Sequence, residues 1–385
     1  MTGRRLAWPL FIGLALLASA CGVPAPRCDS AAPFTVSPIA LSDLVSITPL
    51  GNLNPPAHTF PTSHMYFGVP VTNGPPGTGP MGDGRVPASM PVMAPGKVIL
   101  TRANVADITS TRSGKAVSYT EYSLDFNVCG GVKINYGHVG PVSHRIAAAI
   151  KQAGPPRCQD YATGPDQSHF CSYGLQVGIA AGEQVAFTSG RAFGLDFGAY
   201  DEKGRQLAFV HPERYQAEAR YNLCPLDLFE PGVHAQLLGR VADFNGQPRT
   251  AEPICGAVNQ DVAGTAQGNW FKDPRQPNPE DNNLALVHDN FEPTPPVLSV
   301  GNSVPGLPSG RYSFALQTSG LINRDFGAIS PDGQVYCFEQ FARRGGVIVL
   351  LTLGEAETLR LEARPAASCG AGPWTLSDGA VKFFR

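Results

Sequence analysis

The sequence predicts a mainly β protein with two β-rich domains joined by a short helical connector. Three observations support this fold class. Glycine and proline are abundant (43 and 36 of 385 residues), which suits many short strands joined by turns. Apolar runs alternate with turn signals over most of the chain. The roughly 360 residues that follow the N-terminal segment are too many for one small core, so two domains are expected.

The N-terminal segment has the pattern of an export signal. Arg4 and Arg5 precede a short apolar run, and Ala18-Ser19-Ala20 are the small residues that a signal peptidase requires. Cys21 follows directly, an arrangement that resembles the lipobox of bacterial lipoproteins. The resemblance implies a signal peptide at 1–20 and lipidation at Cys21, which would anchor the chain to a membrane. The alternative is a plain secretory signal with a chance cysteine.

Residues 21–45 are polar and contain proline, so we interpret them as a tether, and residues 46–205 as the first β domain. Within this domain the segments 116–128 and 131–140 are expected to pair around Cys129-Gly130-Gly131. One helix is expected at 143–154, capped by Ser143 and ended by Gly154. Residues 155–171 are interpreted as a loop.

Residues 206–235 form the predicted helical connector, and 236–385 the second β domain, either a sandwich or a barrel. The turn signals FNGQP and SPDGQ separate its apolar runs. The GNWF segment at 268–271 is similar to the start of lipocalin-type barrels. The simpler interpretation places Trp270 in an ordinary core.

The chain has nine cysteines, and eight are left once Cys21 is set aside. An even number in an exported chain suggests up to four disulfides. Eight cysteines allow 105 pairings, so the connectivity stays open. Proximity in the chain favours three pairs and leaves a fourth: Cys158–Cys171, Cys224–Cys255, Cys337–Cys369 and Cys28–Cys129.

The charge pattern argues against a nucleic-acid partner. The net charge is −2, with 29 basic and 31 acidic residues and no basic run that could neutralise phosphates. No GxSxG elbow and no phosphate-binding loop occurs.

Four segments of the first half occur in a meaningful order: HTFPTSHMYF (58–67), MPVMAPGKVI, INYGHVG and IAAGEQVAFTSGRAFGLDFGAYD. Together they resemble the LytM/lysostaphin-type zinc metallopeptidases, whose duplicated-hybrid-motif β fold cuts peptidoglycan cross-bridges. The resemblance covers roughly residues 50–203. It implies a zinc site in which two histidines and one aspartate hold the metal while two further histidines assist catalysis.

The family's functional positions are only partly kept. His58 matches the first histidine, but the aspartate expected four residues later is Thr62, or Ser63 if one residue is inserted. His138 matches a catalytic histidine. At the last motif Gly194 stands for a catalytic histidine and Asp196 for a ligand histidine. These changes favour a family fold without the family's chemistry.

A rewired metal set is the competing interpretation. His64, His138 and Asp196 would be a legitimate zinc set, with His58 as the base. The simpler view is that these are strand residues that hydrogen-bond to their neighbours. Of the other histidines, His144 is expected in the first turn of its helix, His169 in the loop between Cys158 and Cys171, and His211 at a helix cap. His234 and His288 have no metal-spaced partner.

Three functions remain open. The favoured one is an exported, lipid-anchored envelope protein, without a cofactor, that binds cell-wall peptide or an envelope partner and does not cut it. The second is a zinc endopeptidase acting on peptidoglycan through the rewired set. The third is a surface-anchored carrier that binds an apolar ligand in the second domain. If the cell has an outer membrane, Gly22 after Cys21 favours that membrane.

Overall fold

A computed structural model describes residues 28, 30–163, 165–243, 245–274, 280–342, 344–355 and 357–385. The described chain is mainly β, with several antiparallel sheets and few helices, which confirms the predicted fold class. The predicted signal peptide and Cys21 lie outside the described residues.

The first half forms a sheet of ten strands. Its strands are β1 (Ile47–Thr48), β2 (His64–Gly68), β5 (Pro91–Met93), β6 (Val98–Ser110), β7 (Val117–Cys129), β8 (Val132–Val142), β9 (Arg157–Thr163), β10 (Asp166–Ile179), β11 (Gln184–Thr188) and β12 (Gly194–Asp201). A separate hairpin joins β3 (Val71–Asn73) to β4 (Arg85–Pro87).

The main path of this sheet runs β1-β2-β12-β8-β7-β6-β10-β9, and β11 pairs with β5 and β8. Strand β12 therefore lies between β2 and β8. Successive side chains of a strand point to opposite faces. Leu195, Phe197 and Ala199 of β12 are buried in the core, and Asp196 occupies the other face. The same alternation on β2 and β8 gives the sheet one apolar and one polar face.

The core of the first half reaches beyond the predicted domain in both directions. Phe34, Ile39 and Leu44 are buried in it, although the segment 21–45 was expected to be a tether. The Phe34 N–H donates a hydrogen bond to the Leu228 carbonyl and the Phe34 carbonyl accepts one from the Glu230 N–H, so this segment is part of the fold. At the other end the same core includes Val258, past the expected boundary at residue 235.

The helices are short. Helix α1 (His144–Gln152) begins at Ser143, whose side chain accepts a hydrogen bond from the Ile146 N–H, and ends two residues before Gly154. The connector contains α2 (Ala217–Arg220), α3 (Pro231–Leu238) and 3-10 turns at Pro212–Arg214 and Pro225–Leu228. Further 3-10 turns lie at Glu280–Asn282 and Phe326–Ala328.

The second half consists of two four-stranded antiparallel sheets. The first contains β13 (Gly268–Trp270), β14 (Leu284–His288), β15 (Pro296–Val300) and β16 (Gly310–Ser313); the second contains β17 (Tyr336–Phe338), β18 (Val347–Gly354), β19 (Thr358–Pro365) and β20 (Val381–Phe384). Large side chains from both sheets form one buried cluster, which includes Trp270, Tyr312 and Phe383. Trp270 is thus a core residue.

A smaller apolar cluster joins the two halves. Leu53 and Phe60 of the segment before β2 pack with Phe271, Ala285 and Val297 of the second half. The Phe60 and Phe271 rings meet edge to face, with centroids 5.0 Å apart. The segment that carries His58 is therefore held from both halves of the chain.

The described residues contain four disulfides: the three pairs that chain proximity favours, Cys158–Cys171, Cys224–Cys255 and Cys337–Cys369, and the remaining pair, Cys28–Cys129. They indicate an oxidising, exported compartment. Among the described residues, none of the helices has the length and apolar character needed to cross a membrane.

The Phe197 ring lies at the centre of the first core. Its centroid is 5.3–5.4 Å from the rings of Phe67 and Tyr136. We expect Phe197→Ala to lower the free energy of unfolding by about 3–5 kcal/mol, because a buried cavity replaces the ring. Guanidinium unfolding followed by circular dichroism measures this loss.

Val45→Ala is the matched control for this substitution, because Val45 is 58% exposed. We expect it to change stability by less than about 0.5 kcal/mol. A loss below about 1 kcal/mol for Phe197→Ala, within the range of an exposed site, would contradict the placement of this core.

Candidate functional site

Four residues singled out from the sequence come together on the polar face of the sheet. His64 begins β2, Asp196 lies on β12, and His138 lies in the last part of β8. Asp196 is directly opposite Gly137 of β8, and His64 is opposite Gly198. His58 approaches from the preceding segment, and its ring centroid is 5.2 Å from that of His64. We call His58, His64, His138 and Asp196 the histidine–aspartate cluster.

Asp196 lies between two of the histidines. Its Oδ2 atom is 3.5 Å from Nε2 of His64 and 3.6 Å from Nε2 of His138. Asp196 is only 8% exposed. The expectation that these three side chains converge from separate strands therefore agrees with the geometry.

A second carboxylate contacts the other ring nitrogen of His138. Oε2 of Glu121, on β7, is 3.0 Å from Nδ1 of His138, and Oε1 of Glu121 accepts a hydrogen bond of 2.5 Å from the Ser189 hydroxyl. His138 has a φ of 54°, a conformation that non-glycine residues rarely adopt. This backbone conformation, together with Glu121, directs Nε2 of His138 toward Asp196.

The histidines differ in charge. Burial and the neighbouring His64 lower the pKa of His58 to about 3, and burial likewise lowers the pKa of His64. Burial also acts to lower the pKa of His138, but Asp196 and Glu121 outweigh it and raise that pKa to about 10. At neutral pH the cluster therefore contains two neutral imidazoles and one imidazolium between two acidic side chains. The His138 side chain is 39% exposed, so solvent weakens its ion pairs.

Two buried polar atoms of the cluster have no hydrogen-bond partner. They are Nε2 of His64 and Oδ1 of Asp196. A buried polar atom without a partner costs roughly 1–3 kcal/mol, so such atoms are rare and call for an explanation. Both atoms belong to groups that bind metal ions readily.

The positions that depart from the family pattern have structural explanations. Thr62 is buried, and its hydroxyl donates a hydrogen bond to the His64 carbonyl. The Ser63 carbonyl accepts a hydrogen bond from the Asn222 side chain of the connector at 2.7 Å. At Gly194 a Cβ atom would lie 2.7 Å from the Phe67 carbonyl oxygen, so no histidine fits there.

A polar groove lies next to the segment that enters β2, and its lining includes none of the four cluster residues. This cavity of about 640 Å³ runs between the polar face of the sheet and the connector with the adjoining second half. Ser63, which directly precedes His64, lines it together with Asn104, Ser123 and Asn135 of the sheet. On the opposite wall Tyr215, Gln216, Phe271 and Glu280 are among the lining residues. Burial raises the pKa of Glu280 to about 7, although its carboxylate accepts a hydrogen bond from the Phe60 N–H.

Another group of potential ligands lies elsewhere on the sheet. Among the described residues, the one group of three or more whose ligand atoms all lie within 4.8 Å of one another is Cys158, His169 and Cys171. The histidine–aspartate cluster does not meet this criterion, so one imidazole must turn before His64, His138 and Asp196 can share one ion. His169 lies on β10, in a hairpin with β9, where the sequence suggested a loop.

Comparison with protein-family models, with curated proteins and with solved structures found no match. The resemblance to LytM-type peptidases therefore stays a prediction.

Gly137 is the residue that gives the Asp196 carboxylate its space. A Cβ atom at position 137 would lie 2.8 Å from Oδ2 of Asp196. We expect Gly137→Ala to displace this carboxylate and therefore to lower the pKa of His138, because Asp196 is the main group that raises it. An NMR titration of the His138 ring measures the shift.

Gly178→Ala on β10 is the matched control, since a Cβ atom there meets nothing within 4 Å. An unchanged His138 pKa in Gly137→Ala, in a protein that still folds, would contradict the proximity of these groups.

Stability in acid should depend on His58. Its pKa in the folded protein, about 3, lies below the ordinary value of 6.5, so its contribution to stability is complete above pH 6.5 and is lost as the pH falls toward 3. We expect His58→Gln to make the decline of stability with acidification shallower. Urea unfolding of the metal-free protein at several pH values measures the slope.

His144→Gln replaces an exposed histidine at the start of α1 and should leave the slope unchanged. If both variants keep the slope of the wild-type protein, His58 is not held neutral by burial.

Proposed function

We propose that the protein binds a divalent metal ion, zinc by preference, at His64, His138 and Asp196, and hydrolyses peptides that lie in the adjoining groove. The observation that carries this proposal is the pair of buried, partnerless atoms, Nε2 of His64 and Oδ1 of Asp196. His64 and His138 both approach the other oxygen of this carboxylate, Oδ2 of Asp196.

The donor set suits zinc. Two imidazoles and one carboxylate are a common set in catalytic zinc sites, which keep a fourth position open. Glu121 holds Nδ1 of His138, and a metal-binding histidine ordinarily has its second nitrogen held by such a carboxylate. Distances of 3.5 and 3.6 Å between ligand atoms are close to the roughly 3.3–3.5 Å expected around a tetrahedral ion.

The charge balance also favours a cation. Two carboxylates, Glu121 and Asp196, face one imidazolium, His138, while His58 and His64 are neutral. Buried negative charge is costly unless it is compensated. A divalent ion would compensate Asp196 and would give Nε2 of His64 a partner. Its binding at Nε2 of His138 would release the proton of that imidazolium.

The chemistry that zinc would supply when bound is a hydroxide at neutral pH. The residues of the chain would hold and orient the metal ligands. Glu121 fixes the His138 ring, and Asn222 hydrogen-bonds to the residue that precedes β2. A pKa of about 3 makes His58 a weak base, which disfavours the role of general base expected for it.

The groove suits an extended peptide. Asn104, Ser123 and Asn135 offer hydrogen bonds to a peptide backbone from the sheet, and Tyr215 and Phe271 offer apolar contacts from the opposite wall. Its volume is in the range of ordinary ligand pockets. With the LytM-like motifs, this supports peptidoglycan cross-bridges as substrate, reached from a lipid anchor at Cys21.

A second candidate function is peptide binding without hydrolysis. The carboxylate expected at 62 or 63 is replaced by Thr62 and Ser63, and the Thr62 hydroxyl is engaged with a backbone carbonyl. His138 and Asp196 already form an ion pair without a metal. In this case the groove would hold cell-wall peptide or an envelope partner. The carrier function is less well supported, since large side chains fill the interior of the second half.

Zinc content separates the two candidates. Residues 22–385, produced without the lipid in an oxidising compartment and equilibrated with zinc, should contain about one zinc per chain by elemental mass spectrometry. His64→Ala and Asp196→Ala should lose most of it, because each removes a ligand. Release of free amines from peptidoglycan should fall with the zinc.

His234→Ala and Asp227→Ala are matched controls, because this histidine and aspartate form a separate pair. A zinc-free protein that still binds cell-wall peptide would establish the second candidate. A protein that takes up no zinc and binds no peptide would contradict both.

A further inference from the structure

A second site lies on the hairpin of β9 and β10. Cys158 and Cys171 face each other directly across the two strands and form a disulfide, and the neighbouring cross-strand pair is Asp160 and His169. Because side chains two apart on a strand share a face, all four lie on the same side of the hairpin.

The histidine is directed at the disulfide. Nε2 of His169 is 3.3 Å from Sγ of Cys171, and Nδ1 of His169 is 2.7 Å from Oδ1 of Asp160. This is the arrangement in which a carboxylate fixes a metal-binding imidazole by its second nitrogen. Cys158 and His169 are exposed, so a reductant and an ion can reach them.

We propose that reduction of the Cys158–Cys171 disulfide opens a metal site in which both thiolates and Nε2 of His169 bind a thiophilic divalent cation such as zinc. A thiol reductant supplies the two electrons: two R–SH become R–S–S–R while the protein disulfide becomes two thiols. Binding of the cation then releases the two thiol protons.

The geometry needs little change after reduction. Around a tetrahedral zinc ion a sulfur and a nitrogen ligand lie about 3.5 Å apart and two sulfur ligands about 3.8 Å. His169 and Cys171 are already near the first distance. The two sulfur atoms only have to separate once their bond is broken, which side-chain rotation on two exposed strands allows.

Three protein ligands leave a fourth position open. A cavity of about 820 Å³ adjoins the site and is lined by Asp107, Tyr119, Asp160 and His169, among others. Water or a small ligand can therefore reach the cation. The intact disulfide keeps the site closed in an oxidising compartment, and a thiol reductant opens it.

The test measures cation binding in the Asp196→Ala background, so that the histidine–aspartate cluster does not contribute. The protein is treated with a phosphine reductant and transferred into buffer that contains cobalt(II) or zinc(II). Its bound metal is then compared with that of the oxidised protein. Oxidised protein should bind neither ion at this site. Reduced protein should bind about one ion per chain, with the thiolate-to-cobalt charge-transfer absorption of a sulfur-ligated site.

Matched variants assign the ligands. Cys158→Ser and His169→Ala should each weaken binding at least about tenfold, since each removes a ligand. His169→Ala leaves the disulfide intact, so its folding can be verified before reduction. Cys337→Ser/Cys369→Ser removes the buried disulfide of the second half, and His144→Ala an exposed histidine; both should retain binding.

Three results would overturn the proposal. They are no cobalt or zinc uptake after confirmed reduction of Cys158 and Cys171, unchanged affinity in His169→Ala, or loss of binding in the Cys337→Ser/Cys369→Ser protein alone.

Discussion

The alternation of side chains along β12 is the constraint on which both the fold and the site depend. Leu195, Phe197 and Ala199 fill the core, so the residues between them must face the other side of the sheet. One of these is Asp196, whose carboxylate is buried. A slip of one residue in the pairing with β2 and β8 would reverse the two sets. The apolar packing that stabilises the sheet therefore also fixes the carboxylate between His64 and His138.

The negative charge of the buried Asp196 carboxylate favours the protonated form of His138, which Glu121 also contacts. His138 gains a proton because Asp196 and Glu121 both face it, and its left-handed backbone conformation allows its ring to lie between them. His58 and His64 stay neutral and contribute no compensating charge. The arrangement leaves an excess of negative charge and a nitrogen without a partner. These are the properties that an ion-binding site requires.

The second half of the chain has its own core and also contributes residues to the groove. Phe60, two residues after His58, packs against Phe271, and its N–H donates to the Glu280 carboxylate. The segment before β2 is therefore ordered by contacts from both halves. Phe60, Phe271 and Glu280 thus line the groove and also join the two halves.

Much of this could be predicted from the sequence, because the strand pattern and the order of the four motifs are local features. The fold class followed from the strand pattern, whereas the convergence of His64, His138 and Asp196 was one of two alternatives that the sequence left open. Glu121 could not be found in this way, because it carries no motif and meets His138 through a register shift between β7 and β8. The role of Phe34 and Ile39 in the core was missed since polar neighbours mask them. His169 was passed over because its partners lie across a hairpin that was interpreted as a loop.

The central claim is that His64, His138 and Asp196 hold one ion in common. Its most direct test is an anomalous difference map from crystals of the protein grown with zinc, recorded on both sides of the zinc absorption edge. The account predicts a peak within about 2.0–2.2 Å of Nε2 of His64, Nε2 of His138 and an Asp196 carboxylate oxygen. A map without a peak at this position, in crystals that bind zinc elsewhere or not at all, would contradict it.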